Sequence, residues 1–382
     1  MIYCECTKDG FCTRYNRLMG GRMRELCAGI NIDLGTAAAF REQWAREAGT
    51  PSQATAQSIR LLLKTDQAPG DAVVMTAAIY SLHKAHPGKY LIAVESLWPE
   101  VFEYNPDVAK SLRFPVKVGQ VPWNLPSETA VIRMHYPAIH QSNDRGIHFM
   151  QGWCEFLGTA LNIQVPLLTN RPHIYFTNPA LPVEDYWVIC SGGKSDFTNK
   201  MWGHDNYQKV VGKLSGKVRL VQVGENSIDH PPLYMCDGIN MVGKTSLRDL
   251  FDITRRARGV ICGVSLLMHV AAALEKPAIV IAGGREPVQW NAYPKQHYLH
   301  TVGTLSCSTP QGHVGGACWR SRTVPLGDNA FLDKDTCERP VGGTPECMTM
   351  IHPEEVAEVV LRYENARNRL ESPRTAPNVP DA

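Results

Sequence analysis

The stretch from residue 243 to residue 282 constrains the fold most, because it alternates helical and strand-like segments within one short span. A polar turn and an amphipathic helix (243–256) precede the apolar run 260–263 (VICG), a helix from Met268 and the apolar run 278–282 (AIVIA). Strands alternating with helices predict a parallel sheet covered on both faces. Between 263 and 268 a strand leads into a helix, and the unpaired N–H groups of such a helix start bind phosphate well.

The same alternation extends over most of the chain and predicts two doubly wound α/β domains. Strands are expected at 59–64, 90–95 and 129–134 around a helix at 72–85, and again at 186–190 and 218–223 around a helix at 206–214. Ligands of such sheets bind beyond the carboxyl ends of the strands, so the cleft between the domains is the expected site. The predicted division is a cysteine-rich segment with a helix at 37–48 (1–55), two Rossmann-like domains (56–180 and 181–370), a cysteine-rich insertion (305–348) and a disordered polar tail (371–382).

Composition narrows the class of protein. A chain of 382 residues with 44% hydrophobic side chains can bury two cores. The formal charge is +2, from 39 basic and 37 acidic side chains without a long basic run, which argues against a dedicated nucleic-acid binder. No apolar run approaches the length of a membrane span, and the N-terminus lacks the apolar core of a signal peptide, so a cytoplasmic location is predicted.

Polar residues at the predicted strand ends are the candidates for chemistry. Asp71 follows Gly70 where the first strand turns into a helix, which suits a general base but equally a helix-start acid. The other candidates would bind a phosphate or a ribose, and each could instead be a solvated, ion-paired or core residue. They are Gly70, where the backbone could approach the ligand closely, Lys194 and Ser195 in a glycine loop, Lys200, Glu225, the helix start at Ser265 and Leu266, His269 and Arg285.

Four motifs in order resemble glycosyltransferase family 9, the heptosyltransferases, over roughly residues 58 to 360. Residues 61–71 resemble a strand followed by K-x-x-x-x-G-D, 200–207 resemble K-x-W with a later aromatic, and 221–225 resemble a strand with G-x-E. Residues 243–277 resemble G-K-T-S-L, a strand, D-S/T-G-x-x-H and A-A-x-x-x-P. The resemblance implies the two-domain GT-B fold and inverting sugar transfer without a catalytic metal. It also implies that Asp71 is the base, Lys200 holds the diphosphate and Glu225 reads the ribose.

One departure from the family pattern concerns the phosphate loop. Where the family has Asp, Ser or Thr, and Gly, this chain has Val264, Ser265 and Leu266. The loop loses an acid and a flexible glycine, but the backbone N–H groups at Ser265 and Leu266 can still cradle phosphate. We therefore expect a nucleotide-sugar donor, carrying a heptose or a hexose, that need not be the family's usual ADP-heptose.

Twelve cysteines in a reducing compartment favour metal binding or simple burial over disulfides. Zinc, iron or an iron–sulfur cluster would suit four thiolates, and unrelated buried thiols are the alternative. Some protein-modifying heptosyltransferases that resemble this chain bind metal through four cysteines near the second of its two sets. The first set is Cys4, Cys6, Cys12 and Cys27, and the second is Cys307, Cys318, Cys337 and Cys347.

The sequence thus predicts an inverting glycosyltransferase that uses a nucleotide-diphosphate sugar and an acceptor hydroxyl. The acceptor is a saccharide, a protein or a small molecule, any metal is structural, and a homo-oligomer is allowed. A nucleotide-sugar epimerase of similar fold and a non-catalytic scaffold that binds glycan or metal are the alternatives.

Overall fold

The computed structural model describes residues 11–12, 17–18, 58–108, 116–118, 129–134, 146–178, 182–308, 317–328 and 330–371. Within them, two separate parallel sheets carry the architecture, flanked by helices. The strands are β1 (Phe11–Cys12), β2 (Arg17–Leu18), β3 (Ile59–Thr65), β4 (Tyr90–Ser96), β5 (Val116–Lys117), β6 (Ala130–Arg133), β7 (Trp187–Cys190), β8 (Leu220–Gln222), β9 (Ile239–Asn240), β10 (Gly259–Gly263), β11 (Ala278–Gly283), β12 (Gln296–His300), β13 (Pro340–Val341) and β14 (Thr344–Pro345).

The helices are of two kinds, long helices that cover the sheets and short turns that lie in loops. The α-helices are α1 (Pro69–Ala85), α2 (Phe149–Leu161), α3 (His204–Leu214), α4 (Leu247–Arg256), α5 (Leu266–Ala273), α6 (Val288–Asn291), α7 (Glu346–Thr349) and α8 (Pro353–Glu371), and the 3₁₀ helices are Pro99–Val101, Ser195–Lys200 and Phe331–Lys334. None of the helices in the described ranges is both long enough and apolar enough to cross a membrane.

The first sheet has four parallel strands in the order β5-β4-β3-β6. Its central strand β3 carries Leu61, Leu62 and Leu63, all at most 1% exposed, because helices or loops cover both faces of a parallel sheet. Helix α1 follows β3 directly and packs against α2. We call this sheet with α1 and α2 the first lobe.

The second sheet has six parallel strands in the order β12-β11-β10-β7-β8-β9, and we call it with its helices the second lobe. Strands β10 and β11 are buried along their whole length. The bulky ring of Trp187 on β7 lies against Gly259, where a side chain would collide with it at 2.5 Å. Helices α3 and α8 pack on one another and close the outer core of this lobe.

The two lobes touch through α1 and α5. At their closest point a Cβ on Gly70 would lie 3.2 Å from Cδ2 of His269 and 3.6 Å from the Cα of Leu266, so a glycine permits this approach. One apolar cluster continues from Leu63 of the first sheet to Val260 of the second. The lobes are therefore packed together where the sequence predicts the ligand cleft.

The predicted fold class is confirmed: both sheets are parallel and the chain is α/β. Two helix starts differ from the prediction. Helix α1 begins at Pro69, a residue suited to the first helical turn, so Asp71 lies inside that turn, and α5 begins at Leu266. The helix predicted at 37–48 lies outside the described residues, and the domain boundary near residue 180 stays a prediction.

Candidate active site

Asp71 lies in the first turn of α1 and faces the second lobe. Burial raises the pKa of its carboxyl group to about 6, and repulsion from Glu286 acts in the same direction. Attraction to Lys200 and Lys194 and a hydrogen bond from the backbone of Ala68 act in the opposite direction. The carboxyl group is consequently ionised at neutral pH, with a pKa suited to accepting a proton there.

Lys200 ends the 3₁₀ helix Ser195–Lys200 and forms an ion pair with Glu286. The Glu286 side chain is only 4% exposed, and it also accepts hydrogen bonds from Arg285 Nη1 at 2.5 Å and Asn291 Nδ2 at 2.5 Å. Burial would raise the pKa of Glu286, but Lys200 and Arg285 outweigh burial and lower it. The buried carboxylate is thus ionised and holds two cations in place.

The ring of Phe197 lies among three cations. Lys194 Nζ is 5.7 Å, Lys200 Nζ 5.8 Å and Arg285 Cζ 5.3 Å from the ring centroid. An aromatic face attracts cations, so it stabilises this concentration of positive charge. Lys194 is largely exposed and 3.8 Å from Asp196, which leaves its ammonium group accessible. Three cations that converge in this way suit a diphosphate.

The loop at residues 264–266 meets the first lobe at the start of α5. Ser265 is the N-cap residue of α5, in an extended conformation and without a side-chain cap hydrogen bond, and Leu266 is the first helical residue. His269 is buried, and burial lowers the pKa of its imidazole to about 3. Its Nδ1 lies 2.9 Å from the Tyr293 hydroxyl, whose ring packs edge-on against His148. His269 is therefore neutral and orients its neighbours without adding charge.

The loops after β7 and β8 carry two more of the predicted site residues. Glu225 is exposed at the end of β8, and Ser195 is exposed at the start of its 3₁₀ helix. The His230 ring fills the space above two glycines, since a Cβ would lie 2.0 Å from it at Gly192 and 2.7 Å at Gly224. The glycine loop thus serves the close approach of this ring.

Arg285 is 4% exposed and forms an ion pair with Glu286. The sequence allowed either such an ion pair or a ligand contact for this residue. Its Nε donates to the carbonyl oxygen of Arg320 at 2.8 Å, and its guanidinium lies 5.1 Å from the centre of the Trp319 ring. The backbone N–H of Cys318 donates to the carbonyl oxygen of Gly284 at 3.0 Å. The cysteine-rich insertion therefore braces the loop that carries Arg285.

The second cysteine set gathers in this insertion. Cys318 and Cys347 are buried, and Cys307 and Cys337 are half-buried. Burial raises the pKa of the Cys318 thiol to about 11, and Cys347 and Cys307 add to that rise. Within the described ranges no three His, Cys, Asp or Glu side chains are grouped as a metal ion would require. Of the first set, Cys12 lies in β1, while Cys4, Cys6 and Cys27 lie outside the described residues.

Sequence reasoning missed several residues of this region, namely Phe197, His230, Asn291 and Tyr293. Each belongs to a loop or short helix beyond the end of a strand, where side chains follow no hydrophobic period. For these four residues the one available signal is that His230 follows Glu225 by five residues. Glu286 carried a clearer signal, because an acid in the loop after a buried strand stands at the ligand end of a parallel sheet.

Solved structures of similar fold cover most of the chain. The dodecameric, iron-containing heptosyltransferase TibC of enterotoxigenic Escherichia coli, in complex with ADP-D-β-D-heptose, gives a TM-score of 0.58 at 15% identity, over 82% of this chain and 78% of TibC. A family 9 glycosyltransferase of Veillonella parvula gives 0.53 at 13% identity, over 82% and 99%. The fold and the facing lobes define the GT-B class.

Sequence comparison finds similarity to one family over part of the chain. Residues 162–313 match the model of glycosyltransferase family 9 (heptosyltransferase). Lipooligosaccharide heptosyltransferase 2 of Haemophilus influenzae is 28% identical over 134 residues, 32% of this chain and 35% of that protein. The match thus spans about a third of this curated relative. This part of the chain is therefore similar to glycosyltransferase family 9.

Proposed function

We propose that this protein is an inverting glycosyltransferase that moves a sugar from a nucleotide-diphosphate sugar to an acceptor hydroxyl. The proposal rests on one observation: a group suited to act as a base and groups suited to bind an anion face each other across the contact between the lobes. Asp71 of the first lobe is a carboxylate with a pKa of about 6, and it faces Lys200 and Lys194 of the second lobe. A base for the acceptor and cations for the leaving diphosphate are what this reaction needs.

In the proposed mechanism Asp71 accepts the proton of the acceptor hydroxyl as its oxygen bonds to the anomeric carbon. The bond between that carbon and the diphosphate oxygen breaks in the same displacement, and the electron pair leaves with the diphosphate. Lys200 and Lys194 stabilise the charge that develops, together with the N–H groups at the start of α5, at Ser265 and Leu266. Glu225 accepts hydrogen bonds from the ribose hydroxyls, and Ser195 adds a phosphate contact.

The donor and the oligomeric state are part of the same proposal. TibC was solved with ADP-D-β-D-heptose and is dodecameric, which supports an adenosine-diphosphate sugar and a homo-oligomer for this chain. A heptose or hexose remains the predicted sugar, because Val264 and Leu266 replace the acid and glycine of the family's loop. Light scattering of the purified protein would measure the assembly.

Four thiols in one insertion also suit a structural metal, and the similar TibC contains iron. Thiolate is a ligand that zinc and iron accept, and the four side chains would have to draw together on binding, because no three of them are grouped in the described residues. We propose that Cys307, Cys318, Cys337 and Cys347 hold such an ion, which would fix the insertion that braces Arg285. Elemental analysis of the purified protein should find about one equivalent of iron or zinc. A Cys318→Ser, Cys347→Ser variant should lose it, and a metal-free wild type would contradict the proposal.

The transferase proposal is tested by sugar transfer. Wild type, incubated with radiolabelled ADP-heptose or ADP-hexose and a panel of saccharide and protein acceptors, should transfer label. Asp71→Asn should lower kcat by about 10²- to 10⁴-fold, the usual contribution of a general base. Asp205→Asn is the matched control, because Asp205 is an exposed acid in the first turn of α3. Full turnover by Asp71→Asn would overturn the assignment of the base.

A further inference from the structure

Glu286 stands out as a buried carboxylate that three side chains contact at once. Lys200 Nζ forms an ion pair with it, and Arg285 Nη1 and Asn291 Nδ2 each donate to it at 2.5 Å. It lies in the loop after strand β11, which ends at Gly283, at the carboxyl edge of the second sheet. The side chain is only 4% exposed, so its contacts are almost all with the protein.

The charges around it explain why such a group is needed. Lys200 is drawn toward its neutral form by burial and by the neighbouring Arg285, and Glu286 is the largest influence that favours its charged form. A buried ammonium group without a carboxylate partner tends to release its proton. Without Glu286, Lys200 would therefore more readily lose the positive charge that is proposed to bind the diphosphate.

Glu286 also supplies the acid that the phosphate loop lacks. The loop of this chain carries Val264, and that side chain is buried and apolar. The Glu286 carboxylate interacts electrostatically with His269 on α5 and so faces the loop from the next strand. The carboxylate near the proposed phosphate site thus comes from the loop after β11, and not from the loop between β10 and α5.

We infer that Glu286 is a positioning residue, which keeps Lys200 charged and aims Lys200 and Arg285 at the diphosphate of the donor. It acts through these two cations and does not itself contact the donor. The inference rests on the proposed function, since it assumes a diphosphate at this site. Its buried hydrogen bonds fix both cations before the donor arrives, which lowers the entropy lost on binding.

The effect of Glu286 on titration distinguishes this role from a merely structural one. The groups that face it are Lys200, Arg285, His269 and Tyr298 of the second lobe and Asp71 of the first, with Lys194 beyond them. Glu286 raises the pKa of Asp71 and favours the charged form of Lys200. Removal of its charge should lower both pKa values, so both limbs of a pH–activity profile should move to lower pH.

The experiment measures ADP binding and the pH profile of kcat/KM for wild type, Glu286→Gln, Glu286→Asp and the control Glu275→Gln, whose side chain is 55% exposed. Glu286→Gln should weaken ADP binding about 10- to 100-fold, the contribution of a charge-assisted hydrogen bond. Both limbs should shift to lower pH, and Glu275→Gln should match wild type. Glu286→Asp keeps the charge, so its limbs should stay in place while ADP binding weakens several-fold.

The outcomes separate this inference from the proposed function. Wild type that binds none of ADP, UDP, GDP and CDP would overturn the proposed function and this inference together. Wild type that binds ADP, with unchanged affinity and unmoved limbs in Glu286→Gln, would overturn the inference alone. If Glu286→Gln fails to fold, Glu286→Asp decides: a wild-type melting temperature with weaker ADP binding supports the inference, and wild-type affinity overturns it.

Discussion

The two lobes bring opposite kinds of electrostatics to their shared surface. Among the described residues, the first lobe contributes Asp71 to the site, while its pair at the strand ends, Lys64 and Glu95, is neutralised internally at 2.6 Å. The second lobe contributes three cations around Phe197 and a single buried counter-charge, Glu286. The first lobe thus holds a carboxylate whose pKa burial raises, and the second lobe holds three cations, two of which a buried carboxylate fixes in place.

The two proposed tasks, accepting a proton and binding a diphosphate, therefore depend on residues in different lobes. A carboxylate becomes a better base when burial raises its pKa, whereas cations bind an anion better when a carboxylate fixes them. Neither environment would serve the other group. Each lobe can therefore be altered alone.

Asp71→Asn should stabilise the protein. The pKa of Asp71 rises from its ordinary value of 3.8 to about 6 in the folded state. Its favourable contribution is therefore present below 3.8 and is lost as pH rises through 6. At pH 8 the ionised carboxylate costs the folded state about 3 kcal/mol, which Asn avoids. Denaturant unfolding should show this gain at pH 8 and little gain below pH 4, with Asp205→Asn as the control. An unchanged or lower stability at pH 8 would contradict a buried base.

The pH profile of wild type should report the same group. Because a base must be ionised, kcat/KM should fall about tenfold per pH unit below the Asp71 pKa of about 6, and so roughly a hundredfold by pH 4. Initial rates in buffers of constant ionic strength give the profile, after the enzyme is shown to remain folded at each pH. A flat acid side would remove Asp71 from the mechanism.

Lys200→Met tests the task proposed for the second lobe, which is to bind the diphosphate of the donor. Donor binding should weaken about 10- to 100-fold, since a charge-assisted contact to phosphate is lost while the aliphatic volume remains. The acid limb should also move to higher pH, because Lys200 lowers the pKa of Asp71. Calorimetric titration with ADP measures the first effect. Lys209→Met, an exposed lysine on α3, is the control, and equal affinity in both variants would exclude Lys200 from donor binding.

Arg248→Ala should loosen the contact between the lobes. Arg248 on α4 donates to the carbonyl oxygens of Glu100 at 3.2 Å and Tyr175 at 2.9 Å, and its guanidinium lies 5.2 Å from the ring of Tyr104. Loss of these hydrogen bonds and of this ring contact should lower the free energy of unfolding by about 1–2 kcal/mol. Denaturant unfolding, with the exposed Arg362→Ala as control, measures it. Equal stability in the two variants would mean that Arg248 does not fasten the lobes.

The alternation of elements was readable from the sequence because burial imposes it. Strands β3, β10 and β11 are buried on both faces, so each reads as a short continuous apolar run between helices. Helix starts were less accurate. Pro69 begins α1 three residues before the predicted start, since a proline at a helix start looks like a turn in the sequence.

Only part of the candidate site could be predicted from the sequence. Asp71 and Lys200 carry motif spacing, and the structure brings both near Glu286. The Arg285–Glu286 ion pair was one of two alternatives that the sequence allowed for Arg285, whereas the contact of Arg285 with the Trp319 ring could not be predicted, because it depends on which loops meet at the sheet edge. Similarly, the neutrality of His269 follows from burial beneath Tyr293, which no local pattern records.

Local sequence specifies the parallel α/β architecture, the order of its elements and the identity of the residues at the strand ends, because periodicity and turn chemistry act over a few residues. The protonation states and the partners of those residues depend instead on how distant segments pack. A pKa depends on desolvation and on charges a few ångströms away. In this protein those charges come from two lobes, more than a hundred residues apart along the chain, that meet at Gly70 and His269.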